Sequence, residues 1–140
     1  MADEKLIREQ PTLTLAAARR IIAAAEAEAI KNSWPVVIAV VDSGGHLLAL
    51  ARLDDTQTGS VEIAIRKARS AMAFKRPTKA WSEALVGGRQ AVLALPGVMP
   101  TEGGVPISHQ GKLVGAIGVS GVRPEQDGQI AAAGIAAVSG

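Results

Sequence analysis

Apolar residues recur at three- and four-residue steps between Leu15 and Lys31, through Leu15, Ala18, Ile22, Ala25, Ala29 and Ile30, while Arg19, Glu26 and Glu28 fall on the other side. That period is helical, and the many alanines favour it further. Thr12 or Thr14 is placed to cap the helix by accepting a bond from a first-turn amide, and Asn32, Ser33 and Pro35 end it. The period then changes. Val36 to Val41 is a β-branched run interrupted only by Ala39, as expected of a strand covered on both faces. Asp42-Ser43-Gly44-Gly45 turns the chain, with Asp42 bonding back to its own turn, and His46 to Leu53 returns as a second strand.

A second helical stripe runs through Val61, Ala64, Ile65, Ala68, Ala71 and Met72, with Ser60 as its expected cap and with Arg66, Lys67 and Arg69 displaced from the stripe. Pro77 stops it, because the residue before a proline is pushed out of the α region. Thr78 is placed to cap a short third helix, Lys79 to Val86. Arg89 to Leu95 is too short to assign, and the following PGVMPTEGGVP reads as an ordered functional loop. Val105 to Ser108 and Lys112 to Ser120 are strands around the turn His109-Gln110-Gly111. Pro124 suits the first turn of a last helix, Glu125 to about Ala137, with Glu125 and Asp127 near its positive end. Hairpins joined by helices cannot form a wholly parallel sheet, so the expected class is α+β: a central antiparallel sheet with helices on both faces.

Composition narrows the chemistry. The 140 residues fit a single domain, preceded by a charged leader over 1–12, and 48% of them are hydrophobic against 20% charged. Only Phe74, Trp34 and Trp81 are aromatic, so the core is aliphatic and rich in small residues. Without cysteine or tyrosine there is no disulfide, thiolate ligand, cysteine nucleophile or tyrosine acid. No export signal or membrane-spanning run is visible, and the expected compartment is cytoplasmic. The net charge of +2 is too small to point to a nucleic-acid or membrane surface. It is unevenly spread, however: between residues 60 and 90 seven cations, Arg66, Lys67, Arg69, Lys75, Arg76, Lys79 and Arg89, face only Glu62 and Glu83, a local net of +5.

Several segments together resemble the GlcG/HbpS-like family, also called the haem-degrading family: LTLAAARRI, PVVIAVVDSGGHLLALAR, IAIRKARSAMAFKRPT, the EGGVPI loop, GKLVGAIGVSG and QDGQIAAAGIAA. The resemblance runs from about Leu13 to Gly134. It implies a profilin-like or PAS-like sandwich with about five antiparallel strands, which places one more strand within 90–104, and symmetric homo-oligomers up to octamers. It also implies a small-molecule-binding protein, with haem, other tetrapyrroles or corrinoid-related partners as the ligand class. In haem-binding relatives the iron lies near the turn matching Phe74-Lys75-Arg76-Pro77-Thr78, where a threonine oxygen or a histidine is the ligand; here Pro77 and Thr78 are present without a nearby histidine.

Candidate site residues follow. Lys75 and Arg76, at a helix end before Pro77, can meet a carboxylate, propionate or phosphate, and the bland alternative for this basic segment is a solvated face carrying a Glu62–Arg66 pair. Thr78, Glu102, Gly103 and Gly104 complete the expected ligand site between the central helix, the Pro77 turn and the Glu102 to Pro106 loop, at a subunit interface. The alternative is an enzyme acting on a small organic acid, with Arg76 clamping the carboxylate and Glu102 or His109 moving a proton. A third reading is a non-catalytic structural oligomer. His46 and His109 adjoin glycine turns without ligand spacing around them, so no metal site is expected, and no phosphate-loop frame is present.

Overall fold

The computed structural model describes residues 4–139, with helices α1 (Leu15–Lys31), α2 (Ser60–Phe74), α3 (Thr78–Val86) and α4 (Pro124–Ala136) and strands β1 (Val37–Asp42), β2 (Leu47–Arg52), β3 (Gly104–His109) and β4 (Lys112–Ser120). The strands form one antiparallel sheet in the order β2-β1-β4-β3. The class is α+β. Described residues give four strands rather than about five, and the segment expected to hold another contains a 3-10 turn, Gln90–Ala94, followed by irregular chain. Pro96 and Pro100 remove two of that segment's ladder donors, and Gly97 sits at φ +83°, so a regular strand does not form there.

Both turns of the sheet follow from local chemistry. Asp42 Oδ1 accepts from the amides of Gly44 at 2.9 Å and His46 at 3.0 Å, which closes the β1–β2 turn. At the β3–β4 turn, Gln110 and Gly111 lie at φ +50° and +79°, the paired positive values that a two-residue hairpin demands.

The two faces of the sheet are packed differently. Ile38, Val40, Ile117 and Val119 meet the alanines and isoleucines of α1 and α4, among them Ala18, Ile21, Ala25, Ile130 and Ala131. The opposite face presents Val37, Ala39, Val41 and Ala116 to α2 through Ala64, Ala68 and Ala71. Gly118 lies under this helix, where a Cβ would run into the Ala64 carbonyl and lie 2.6 Å from the Ala68 amide. The helix therefore rides directly on the strand backbone.

Caps depart from expectation in two places. Thr14 caps α1, accepting from Ala17 N at 3.1 Å. Ser60 does not cap α2: Gly59 holds the cap position, and the Ser60 hydroxyl accepts from Gln57 Nε2 at 2.9 Å and from Ser120 Oγ at 3.2 Å. Thr78 is the first residue of α3 and does not cap it, because its hydroxyl is engaged across the fold by Gly104.

Candidate functional site

Lys67 is the clearest departure from the sequence pattern. It lies on the sheet side of α2, about 2% exposed, rather than displaced toward water. Its ammonium donates to Asp127 Oδ2 at 3.1 Å and to the Val119 carbonyl at 2.9 Å, and Val122 N donates to the other Asp127 oxygen at 3.2 Å. The pair thus ties α2 to the start of α4 across the end of β4. Burial pushes the Asp127 carboxyl up to about 6 despite the opposing attraction of Lys67, and burial likewise lowers Lys67 below its ordinary value against the pull of Asp127 and Glu102. Asp127 had been assigned only to the dipole of its helix, and its charge partner lies 60 residues away in sequence.

The Glu102–Gly104 segment lies over this pair. Gly103 takes φ +135°, and a Cβ on it would fall 2.8 Å from Lys67 Nζ and 3.1 Å from Asp127 Cβ, so the backbone of the loop rests on the ion pair. Half-buried Glu102 sits against Gly128 of α4, close enough to act on both Lys67 and Asp127. Gly104 N donates to Thr78 Oγ1 at 2.9 Å, and that hydroxyl faces the Gly104 carbonyl at 3.4 Å. The Pro77 turn and the Glu102 loop are therefore clamped together. Thr78, at 0% exposed, is enclosed by the clamp.

A cationic and aromatic cluster begins one residue before Pro77. Trp81 of α3 is 5% exposed, and its ring meets Phe74 edge-on at a centroid distance of 5.5 Å. The Arg76 guanidinium carbon lies 4.7 Å from the centre of the same indole and that of Arg89 5.9 Å, within cation–π range. Arg76 Nε donates to the Phe74 carbonyl at 3.0 Å, and among the described residues neither arginine joins an ion pair. Trp81 Nε1 is buried and has no hydrogen-bond partner among the described residues. A buried donor left without an acceptor costs free energy. Arg89 and Trp81 are members of this cluster that the sequence pattern did not single out.

The other candidates lie elsewhere. Lys75, at φ +55°, lines a cleft with Arg8, Lys112 and Leu113. His109 is exposed at the far end of β3, whose five steps from Gly104 span about 17 Å. Among the described residues, no group of three or more His, Asp or Glu side chains is arranged to hold a metal, and no helix is long and apolar enough to cross a membrane.

Comparison with known proteins adds relatives to this geometry. The family described as haem degrading protein, HbpS-like, matches residues 13–136. The chain is similar to Protein GlcG of Escherichia coli K12, at 48% identity over 103 residues, 74% of this chain and 77% of the relative. A solved Klebsiella pneumoniae protein, ORFY, superposes with a TM-score of 0.92 at 31% identity, covering 97% of each chain. A PduOC–haem complex superposes with a TM-score of 0.81 at 31% identity, covering 90% of this chain and 94% of the other.

Proposed function

The chain belongs to the HbpS-like family of haem-degrading proteins, and from that premise we propose that it binds a small anionic ligand of the tetrapyrrole class, with Arg76 and Arg89 receiving the ligand's carboxylates. The observation that carries this reading is the gathering of two guanidiniums, at 4.7 and 5.9 Å, on an indole whose buried Nε1 lacks an acceptor among the described residues. A propionate-like group supplies the negative charge, and planar guanidinium forks suit carboxylates. The relative solved as a haem complex supports the ligand class.

The Pro77 turn fits the carboxylates of such a ligand better than its iron. Thr78 is fully buried, its oxygen is held against Gly104, and the stretch from Phe74 to Thr78 contains no histidine. Axial ligation here would require the Thr78–Gly104 clamp to open. The function proposed for Thr78, Gly103 and Gly104 is accordingly to hold the turn in place, with Glu102 helping to fix the loop on the Lys67–Asp127 pair. Assembly with further copies belongs to the same proposal: Val86 and Leu93, 87% and 69% exposed, offer an apolar surface on and beside α3.

Hemin titration followed in the Soret region tests this reading. Saturable binding is expected in the unmodified protein and at least tenfold weaker binding in the Arg76→Gln, Arg89→Gln double variant. No saturable binding, or equal binding by the double variant, contradicts it.

A further inference from the structure

A second group of cations gathers around Lys75, one residue before Arg76. The stretch 8–11 of the leader crosses a cleft of about 360 Å³ whose walls also include Lys75 and the hairpin residues Gly111 and Lys112. The crossing is anchored downstream: Leu13 N donates to the Val114 carbonyl at 2.9 Å, and Thr12 Oγ1 accepts from Ser43 N at 3.0 Å. Arg8, Lys75 and Lys112 reach the cleft from three separate segments, with Glu9 the single carboxylate on its lining among the described residues. Among the described residues none of these three cations makes an ion pair. Gln10, Pro11 and Leu113 line the rest of it together with Met72 from α2, which is 8% exposed.

We propose that this cleft binds an organic carboxylate with an apolar body, its carboxylate between Lys75, Lys112 and Arg8 and its hydrocarbon on Met72 and Leu113. Three like charges around one concavity repel each other, and an anion there relieves that repulsion while its apolar part covers the Met72 and Leu113 surface. Small-molecule pockets run from roughly 300 to 1,000 Å³, and this cleft lies at the small end, suited to a single medium-chain or one-ring acid. The site is independent of the Arg76–Trp81–Arg89 cluster, which shares none of its lining residues.

Decanoate is the probe, titrated into the full chain by calorimetry at low salt, with decylammonium as the charge-reversed control. Lys75→Gly is the informative variant, since glycine accepts φ +55° without strain while the ammonium is lost. It is combined with Lys112→Gln, and circular dichroism verifies the fold of the double variant. Saturable decanoate binding that falls at least tenfold in that variant, with decylammonium failing to bind, is the expected result. Absence of saturable binding, equal binding of decylammonium, or undiminished binding by the folded double variant overturns the proposal.

Discussion

Arg66 and Lys67 are neighbours on α2, yet they form opposite kinds of ion pair. Arg66 meets Glu62 one turn away at 3.1 Å, with both side chains 64% exposed. Lys67 meets Asp127 at the same distance, with both side chains 3% exposed. In water the first pair exchanges solvation for a weak attraction. In the second, each charge has given up its water and depends on the other, on the Val119 carbonyl and on the Val122 amide. The basic excess of residues 60–90 is thus not one surface. One cation is enclosed beneath the Gly103 loop, and Arg76 and Arg89 gather on Trp81 close to Pro77.

The largest expected effect comes from breaking the buried pair. Lys67→Met removes the attraction that opposes burial, so the Asp127 carboxyl must carry its charge unpaired or take up a proton, and a loss of up to about 3–5 kcal/mol is expected in urea unfolding. Adding Asp127→Leu to the same chain should recover much of that loss, because no orphaned charge remains. A double variant no more stable than Lys67→Met would show that the pair does not act as a unit. Next comes Gly118→Ala, which drives a methyl into the Ala64 carbonyl. A cost of about 1–3 kcal/mol is expected from this overpacking.

A smaller, pH-dependent effect separates the two pairs again. The Asp127 carboxyl titrates near 6 in the folded chain against an ordinary 3.8, so the folded state holds this proton more tightly than the unfolded one. Its contribution to stability is complete below about pH 4 and is lost as pH rises through about 6. The stability difference between the unmodified chain and Asp127→Asn should therefore shift against the unmodified chain over that interval, as seen in unfolding at a series of pH values. A flat difference would mean that Asp127 is not perturbed by burial. The smallest effect belongs to Arg66→Ala, for which no more than about 0.5 kcal/mol is expected, diminishing with salt.

The same contrast explains what could be read in the chain. α1, the Asp42 turn and the β3–β4 hairpin were legible because helical period, Asx bonding and hairpin chemistry act over a few residues. The Glu62–Arg66 pair was legible for the same reason. Lys67 was not: its neighbours on α2 include two exposed arginines, and its partner is 60 residues distant, so only the meeting of α2 with α4 reveals that it points inward. The structure brings the Pro77 turn and the Glu102 loop together, and the form of their contact, a Thr78 hydroxyl fastened to Gly104, depends on the register that β3 adopts on β4. Arg89 and Trp81 belong to different segments, and no local period brings a guanidinium over that ring.

The central claim is that the cluster beside the Pro77 turn recognises carboxylates rather than iron. Its most direct test is a side-by-side titration of metal-free protoporphyrin IX and hemin into the same protein, read by quenching of tryptophan fluorescence. Dissociation constants within about threefold of each other are expected, both weakened at least tenfold by Arg76→Gln with Arg89→Gln. Binding of hemin alone, untouched by that substitution, would contradict the account.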